Sequence, residues 1–469
     1  MSDSTLRARD RAAFWHPCGQ MRDYDDFPPL EVVGARGCRL RLADGREILD
    51  AISSWWCKAL GHGHPALLAA LRAQAEAFEH VITANTTSAP LVRLCERLLA
   101  AANGAGPAAW GPDAPPGRVP GHFGKVFLAD NGSTAVEIAL KMALQAQAQR
   151  GQRARTRFAA LANGYHGETV GALSVGDCDL YAAPYRGLLF PVTKLAGLPY
   201  RAGPEDPRWM DASAEWPALE RALDAEAETL AAVVYEPVLQ AAGEMRLYSP
   251  DLLPRLRRWA DARGVYLIAD EIAAGMGRLG AMLASHLAGG PGGALPDFAT
   301  LSKGLTGGVL PLSAVLTTDA VATLFEGEWA EGRAFLHSNT YTGNALGVAV
   351  ANAALDVFAT EDVLARVATH GPELRRALGD LIRARPELPL AGVRGCGMMA
   401  AVDLRGSGGA PLDPARRTGY RVYREAVRRG VLLRPIGDTI YLFPPLNVEP
   451  ADVREMVDVL AASVADVAA

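Results

Sequence analysis

Short apolar segments alternate with helix-like segments through the middle of the chain, and this alternation constrains the fold more than any other feature. The apolar segments occupy residues 125–130, 230–238, 265–272, 297–304 and 311–318. They are apolar at successive positions rather than at every second one, which predicts strands buried on both faces. With helical sequence between them, they predict an α/β domain built on a mostly parallel, doubly wound sheet.

The composition of the chain changes from about residue 345, where long segments rich in alanine, leucine and arginine begin. Apolar segments return at residues 397–404 and 439–445. Helices followed by a few late strands predict a second, smaller α+β domain.

Composition and charge exclude several classes of function. A net charge of −5 leaves no broad basic field for nucleic acid or an anionic membrane. Six cysteines occur without a C-x-x-C pair, which favours reduced thiols over disulfides or a zinc site. No run of about 18 apolar residues is present. We expect a cytoplasmic protein that binds neither nucleic acid nor membrane and holds no metal; His62 and His64, in "GHGHP", are typical of a turn.

Lysine is rare in this chain, and one lysine follows an apolar segment. Only five of the 47 basic residues are lysine, namely Lys58, Lys125, Lys141, Lys194 and Lys303. Arginine stays charged, whereas a buried lysine can lose its proton and act as a nucleophile. Lys303, in "LSKG", is therefore a candidate nucleophile, although composition alone favours an ordinary surface lysine.

Polar residues follow the ends of four predicted strands, where ligands bind in open α/β sheets. Gly132, Ser133 and Thr134 open a helix, whose free amides favour a phosphate. Asp270 ends a wholly apolar segment, so its carboxylate needs a cationic partner. Glu236 and Lys303 end two further segments. An ordinary helix cap and a paired structural acid or magnesium ligand are the alternative interpretations.

One ligand requires an anion cradle, a buried acid and a lysine together. Pyridoxal 5′-phosphate has a phosphate, a ring nitrogen that is best kept protonated, and an aldehyde that condenses with an amine. Tyr165 and His166 lie on a glycine-rich loop and could stack on its ring. A nucleotide with magnesium would also need three such groups, but neither of its glycine-rich fingerprints is present.

Six motifs occur in an order that resembles one enzyme family. They are "NGSTAVEIALKMA", "GYHGETVGALSV", "EPVLQAAGEM", "LIADEIAAGMGRLG", "LSKGLTGGVLPLSAVL" and "HSNTYTGNALG". From about residue 15 to the late "TIYLFPP" segment, the chain resembles the class III, ω-type aminotransferases of pyridoxal-phosphate fold type I.

The resemblance implies an architecture and an assembly. Residues 1–64 would form an N-terminal segment that belongs partly to the small domain and to the active-site entrance. Residues 65–344 would form the large cofactor-binding domain, and residues 345–469 the C-terminal small domain. The enzyme would be a homodimer with its active sites at the interface and pyridoxal 5′-phosphate as cofactor.

The resemblance also implies roles for individual residues around the cofactor. Lys303 would bind the cofactor covalently and move the substrate proton, and Asp270 would pair with the pyridine nitrogen. The remaining cofactor contacts would come from Gly132, Ser133, Thr134, Tyr165, His166, Glu236 and, across the dimer, Thr340.

"FWHPCGQM" and "LDAISSWWCKALGHGHP" are similar to features of one branch of the family. That branch transfers an amine from S-adenosylmethionine to 8-amino-7-oxononanoate, giving 7,8-diaminononanoate for biotin. Arg434 would bind the acceptor's carboxylate, since a guanidinium forms bidentate hydrogen bonds. The other expected substrate contacts are Trp55, Cys18, Tyr165, Arg278 and Ser338.

Several alternatives remain open at this stage. The chain departs from the best-known member of that branch at three places, namely Cys18, Ser338-Asn339 and Glu168. The first two lie where donor and acceptor should bind and leave the amino donor undecided. Lysine could replace S-adenosylmethionine as donor, or the enzyme could be an ω-amino acid:pyruvate aminotransferase. An aminomutase or a cofactor-binding regulator on the same fold are more distant possibilities.

Overall fold

A seven-stranded sheet forms the centre of the molecule in the computed structural model, which describes residues 5–289 and 294–468. The strand order is β4-β13-β12-β11-β8-β5-β6. β13 is antiparallel to both of its neighbours, and every other pair in the sheet is parallel. The predicted mostly parallel sheet is therefore confirmed.

The strands of the described residues are, in chain order, β1 (Val32–Arg36), β2 (Arg39–Leu42), β3 (Glu47–Asp50), β4 (Phe123–Ala129), β5 (Arg157–Leu161), β6 (Val192–Leu195), β7 (Tyr200–Arg201), β8 (Leu230–Tyr235), β9 (Leu239–Gln240), β10 (Arg246–Tyr248), β11 (Tyr266–Asp270), β12 (Phe298–Leu301), β13 (Ser313–Thr318), β14 (Leu390–Gly395), β15 (Ala400–Leu404), β16 (Val431–Leu432) and β17 (Thr439–Leu442).

The helices are α1 (Leu6–Ala13), α2 (Asp23–Asp26), α3 (Ser53–Trp56), α4 (Pro65–Ala77), α5 (Ala89–Ala102), α6 (Gly132–Gln149), α7 (Val170–Val175), α8 (Asp179–Ala182), α9 (Trp216–Asp224), α10 (Leu252–Arg263), α11 (Asp319–Ala322), α12 (Ala345–Thr360), α13 (Val363–Ala384), α14 (Thr418–Arg428) and α15 (Pro450–Ala468). α3 is a single turn and is wound left-handed.

Helices cover both faces of the central sheet, as the apolar strands require. In β11, Tyr266 and Ile268 pack into the cluster that contains the buried face of α6. Leu267 and Ala269 point the other way, into the cluster that contains α10. Successive residues of a strand face opposite sides of the sheet, so both faces of β11 are buried.

The first and last parts of the chain pack together. β3 pairs in parallel with β16, which joins the N-terminal sheet β1-β2-β3 to the C-terminal region. The C-terminal region also contains the antiparallel sheet β14-β15-β17, against which α13 packs. Within the described residues, no helix is long and apolar enough to cross a membrane.

Candidate active site

Asp270 and Lys303 lie at the carboxyl ends of two neighbouring parallel strands. Asp270 is the last residue of β11 and pairs in register with Thr300 of β12. Its Oδ1 accepts hydrogen bonds from Ile272 N at 3.1 Å and from Thr300 Oγ1 at 3.3 Å. Lys303 follows three residues after Thr300, so the sheet brings the two predicted catalytic residues to one edge.

Lys303 sits in a strained backbone conformation beside an aromatic ring. Its φ angle of +23° lies in the region that non-glycine residues avoid, which costs about 1–3 kcal/mol. Its Nζ lies 5.2 Å from the centroid of the Trp56 ring. Burial lowers the pKa of Lys303, although the negative charges of Asp270 and Glu236 oppose this. The site therefore makes the neutral amine more accessible than it is in an exposed lysine.

The other four lysines lie elsewhere or have partners. Lys125 and Lys141 are exposed, and Lys58, half-buried like Lys303, does not follow a strand of the central sheet. Burial lowers the pKa of Lys194 to about 8, but its ammonium donates to the carbonyls of Ser174 and Gly176. In the described residues, Lys303 forms no ion pair with a carboxylate, so its amine remains available for chemistry.

His166 contacts Asp270 instead of presenting its ring for stacking. His166 Nδ1 lies 2.8 Å from Asp270 Oδ2, and the imidazole is fully buried. Because a carboxylate oxygen accepts hydrogen bonds, we assign Nδ1 as the donor in this contact. The contact with Asp270 differs from the stacking role expected for His166 and makes it an orienting partner of the carboxylate.

Glu236 binds the backbone and thereby holds Tyr165. Its two carboxylate oxygens accept from Tyr165 N and Ala241 N, each at 3.0 Å. Burial raises the pKa of Glu236 to about 8. The Tyr165 hydroxyl donates to Glu168 Oε1 at 2.9 Å. Glu236 is therefore placed to position the loop that carries Tyr165, and its expected contact with the cofactor stays a prediction.

The N-terminus of α6 carries the predicted anion cradle. Asn131 Oδ1 accepts from Thr134 N, and the Thr134 hydroxyl exchanges hydrogen bonds with the Asn131 backbone. This capping box occupies the Thr134 side chain, while the first amides, those of Gly132 and Ser133, have no partner within the helix. A side-chain carbon on Gly132 would lie 3.0 Å from Ile272 Cδ1, so a larger residue there would have to displace the Ile272 side chain.

A second group of predicted residues meets around Trp55. The guanidinium of Arg434 lies 4.6 Å from the centroid of the Trp55 ring, and its Nη2 donates to the Cys18 carbonyl at 2.8 Å. Trp55 is 41% exposed. Cys18 Sγ approaches Glu168 Oε1 at 4.0 Å, which links the group to Tyr165. The structure thus brings together the arginine, tryptophan, cysteine and tyrosine expected at the substrate site.

The left-handed turn α3 separates these two groups. Ser53, Ser54, Trp55 and Trp56 have φ angles of 50°, 44°, 74° and 72°. A left-handed conformation costs a non-glycine residue about 1–2 kcal/mol, so the turn must be held by its surroundings. The side chain of Trp56, the last residue of the turn, is buried and donates from Nε1 to the Tyr441 hydroxyl at 3.0 Å.

Asp50 and His62 hold this turn, and neither was expected at the site. The sequence predicted a plain turn around His62 and gave Asp50 no role. Asp50 ends β3 with an acid after apolar residues, as Asp270 ends β11, and that shared pattern could have revealed it.

Arg278 is buried and bonded to protein groups, whereas a contact with substrate was expected for it; that contact stays a prediction. Its Nη1 donates to the carbonyls of Met398 at 2.7 Å and Pro444 at 2.6 Å. The guanidinium stacks 3.8 Å from the centroid of the Phe443 ring. Burial lowers the pKa of Arg278 to about 9. Arg278 therefore supports Phe443, which in turn accepts a hydrogen bond from Ser53 Oγ at 2.7 Å.

Ser338 and Thr340 are exposed on the segment that precedes α12. Their neighbour Asn339 donates to Asp130 Oδ2 at 3.2 Å. In the described residues, neither side chain contacts Lys303 or Arg434 of the same chain. The roles expected for them remain predictions.

The arrangement has clear counterparts among known proteins. The model of the family "Aminotransferase class-III" matches residues 20–464. The chain belongs to the class-III aminotransferases. Members of this family are pyridoxal-phosphate-dependent enzymes of fold type I, as expected from the motifs.

Individual relatives cover nearly all of this class-III aminotransferase. It is 37% identical to adenosylmethionine-8-amino-7-oxononanoate aminotransferase of Geobacter sulfurreducens, over 98% of this chain and 97% of the relative. The enzyme of the same name from Helicobacter pylori is 36% identical, over 96% of each chain. The solved structure of the Methanocaldococcus jannaschii enzyme, also of that name, superposes with a TM-score of 0.84 at 31% identity, over 98% of both chains.

A related structure with a bound cofactor is also similar. An amine transaminase from an uncultivated Pseudomonas species, solved in the PLP-bound form, gives a TM-score of 0.84 at 33% identity, over 97% of this chain and 98% of that one. In the described residues of this aminotransferase, no cluster of three or more His, Cys, Asp or Glu side chains could hold a metal ion.

Proposed function

We propose that this aminotransferase moves an amino group from S-adenosylmethionine to 8-amino-7-oxononanoate, giving 7,8-diaminononanoate for biotin synthesis. The observation that carries the proposal is the pairing of Lys303 with Trp56 on one side of α3 and of Arg434 with Trp55 on the other. One short turn thereby contacts both the reacting amine and the carboxylate-binding arginine through its two tryptophans. The names of the relatives from Geobacter sulfurreducens and Helicobacter pylori support the same substrates.

The site fits pyridoxal 5′-phosphate. Lys303 supplies the amine for the cofactor aldehyde, and the free amides of Gly132 and Ser133 at the start of α6 suit its phosphate. Asp270, held by His166 and Thr300, would face the ring nitrogen. When bound, the cofactor supplies an electron sink for the carbon that carries the transferred amine.

Lys303 would carry the proton during transfer. Its burial lowers the fraction of ammonium, and a neutral Nζ can remove a proton from the substrate carbon and return it later. Asp270 would stabilise positive charge on the atom that it faces, because His166, Thr300 and the Ile272 amide fix its carboxylate. The residues therefore divide into one mobile base and one fixed anion.

The outer part of the site would bind the aliphatic carboxylate substrate. The Arg434 guanidinium is fixed by the Cys18 carbonyl and the Trp55 ring, so it loses little conformational freedom on binding a carboxylate. Tyr165, positioned by Glu236, would cover the reacting end. Glu168 adds a carboxylate at the entrance, which suits substrates that carry positive charge.

Donor exchange tests the proposal directly. Purified protein loaded with the cofactor is mixed with S-adenosylmethionine, lysine or glutamate, and transfer to 8-amino-7-oxononanoate is measured by mass spectrometry of 7,8-diaminononanoate. We expect product with S-adenosylmethionine and little with the other two. Product with lysine alone would assign the donor to lysine, and no product with any donor would reject the acceptor.

We further propose that the enzyme is a homodimer in which Thr340 and Ser338 complete the partner's site. Both residues are exposed in the single chain and lie in a segment that also exposes Trp329 (84%) and Leu336 (78%). Large exposed apolar side chains on one segment are typical of a protein interface.

We also propose the division into residues 1–64, 65–344 and 345–469, and a cytoplasmic location. The pairing of β3 with β16 supports placing the N-terminal segment with the small domain. α12 packs on α4 and α5 of the large domain, so it would connect the two domains.

A further inference from the structure

The left-handed turn α3 is a strained element on which two parts of the site depend. Trp55 lies beneath the Arg434 guanidinium, and Trp56 lies beside Lys303 Nζ. All four residues of the turn have positive φ, and none is glycine. If the turn relaxed to ordinary φ values, both tryptophan rings would leave these positions. Something outside the turn must therefore hold it.

The Asp50 carboxylate forms three hydrogen bonds to the start of the turn. Oδ1 accepts from Ile52 N at 3.2 Å and from Ser54 N at 3.0 Å. Oδ2 accepts from Ser54 Oγ at 2.6 Å. The Asp50 side chain is fully buried, so water does not compete for these bonds.

His62 completes the network from the other side. Its Nε2 lies 2.8 Å from Asp50 Oδ2 and 3.4 Å from Ser54 Oγ. Two backbone hydrogen bonds with Gly37, at 2.8 and 2.9 Å, fix His62 in place. Burial alone would raise the pKa of Asp50, but the hydrogen bonds from His62 and Ser54 hold that pKa below its ordinary value. Asp50 is thus an anion at neutral pH, bonded to the turn.

We propose that Asp50 and His62 are positioning residues for substrate recognition. They hold Ser53–Trp56 left-handed, so that Trp55 keeps the Arg434 guanidinium in place for a carboxylate. Neither residue contacts Arg434 or Lys303, and both act through the turn. That Asp50 and His62 hold the turn does not depend on the identity of the substrate. That they thereby aid binding of the acceptor rests on the proposed function.

Hydrogen exchange tests the backbone part without substrate. Asp50→Ala removes the three bonds to the turn, so amides of residues 52–58 should exchange at least about tenfold faster, because a loss of about 1.4 kcal/mol is a factor of ten. Adding Ser54→Gly should restore slow exchange, because glycine accepts a φ of 44° without strain. Adding Ser54→Ala should not. Asp44→Ala, at an exposed turn, is the matched control.

Kinetics test the recognition part. In Asp50→Ala, the KM for 8-amino-7-oxononanoate should rise about tenfold while kcat falls by a smaller factor, because Trp56 beside Lys303 is also held by its hydrogen bond to Tyr441. The Ser54→Gly double variant should recover most of the KM. Absence of wild-type activity on this acceptor would reject the proposed function and leave the exchange result to decide the positioning role. Wild-type activity with an unchanged KM in Asp50→Ala would overturn the recognition role.

A second variant keeps the test decisive where Asp50→Ala does not fold. His62→Phe keeps an aromatic ring but removes the nitrogen that bonds to Asp50. The same pattern, with faster exchange of residues 52–58, a higher KM and rescue by Ser54→Gly, is expected at smaller amplitude. Uniformly faster exchange across the whole chain, or equal effects of Ser54→Gly and Ser54→Ala, would show a general folding role and overturn the proposal.

Discussion

At the scale of single residues, the choice of lysine or arginine separates chemistry from recognition. Lys303 has a lowered pKa and no ion pair among the described residues, as a reacting amine requires. Arg434 is held by a carbonyl and an aromatic ring, as a fixed cation requires. Exchanging the two residue types would remove a function from each position.

Replacing Lys303 should abolish both attachment of the cofactor and turnover. In Lys303→Ala, kcat should fall by about 10²–10⁴-fold or more, because the general base is lost. After borohydride treatment, mass spectrometry should find the cofactor on the peptide containing Lys303 in wild type and on no peptide in the variant. Lys125→Ala, at an exposed strand position, should behave as wild type. Trapping on another lysine in the wild type would contradict the assignment.

Replacing Arg434 should weaken binding of the carboxylate substrate. A hydrogen bond to a charged group contributes about 1.5–3 kcal/mol, so Arg434→Ala should raise the KM for the acceptor by about 10–100-fold. Steady-state kinetics with 8-amino-7-oxononanoate measure the change. Arg429→Ala, which removes an exposed ion pair with Asp466, serves as the control. An equal loss with a ketone that lacks the carboxylate would contradict recognition of that group.

At the scale of elements, two strands end in an aspartate that is bonded to a buried histidine. Asp270 ends β11 and pairs with His166, while Asp50 ends β3 and pairs with His62, each at 2.8 Å. The first carboxylate is aimed at the expected cofactor position and the second at the backbone of α3. The same pair of residue types thus places a charged carboxylate at the expected cofactor position in one case and holds a backbone turn in the other.

The Asp50 network should make stability depend on pH in the acid range. The pKa of Asp50 is lower in the folded protein than in the unfolded chain. The ionised carboxylate therefore contributes fully to the free energy of unfolding above the unfolded pKa of about 3.9. This contribution is lost as the pH falls through the folded pKa. The difference in Tm between wild type and Asp50→Ala should therefore be large at pH 7 and shrink towards pH 3. Calorimetry measures both. A difference that stays constant over this range would contradict the linkage.

Glu271 should affect the pH dependence of stability in the opposite direction to Asp50. Its carboxylate accepts from Ala284 N, Ser285 N and Ser285 Oγ, and burial raises its pKa to about 7. An acid with a raised folded pKa loses stability as pH rises from the unfolded value of about 4.3 through the folded one.

Glu271→Gln cannot titrate and leaves one amide poorly paired, so its Tm should lie below that of wild type. Because only the wild type loses stability through ionisation of residue 271, this deficit in Tm should narrow between about pH 4.5 and pH 7 and stay constant at higher pH. Parallel melting curves of both proteins over this range measure the deficit. A deficit that widens would contradict the raised pKa.

At the scale of the whole molecule, the sequence predicted the sheet and the residues at its edge better than their contacts. Apolar strands and motif order predicted the positions of Lys303, Asp270 and Gly132 at strand and helix ends, since these depend on local sequence and parallel topology; their roles stay predictions. The contacts of Arg278 with Met398 and Pro444 join residues 120 and 166 positions apart, and Ser53 bonds to Phe443 across 390 positions. No local pattern encodes such pairs, so the contacts of Arg278 came only from the structure, whereas Asp50 bonds to nearby residues and shares with Asp270 a strand-ending acid pattern that the sequence does show.

The proposed dimer makes a prediction at the same scale. Sedimentation should give about twice the mass of the chain, 49.6 kDa. Thr340→Ala and Lys303→Ala are each expected to be impaired, but a mixture of the two should regain activity, because one hybrid site contains both native residues. No recovery after confirmed subunit exchange would contradict a contribution of Thr340 to the partner's site.

The scarcity of lysine has a practical consequence for anyone attaching this enzyme to a surface or a dye. Reagents that acylate amines would meet only two well-exposed lysine side chains, Lys125 and Lys141, besides the chain terminus. Lys125 lies on β4 and Lys141 on α6, where it contacts His337 of the segment proposed for the dimer interface. Conversion of Lys141 to arginine would leave Lys125 as the main exposed lysine for coupling and give a nearly uniform orientation on a support.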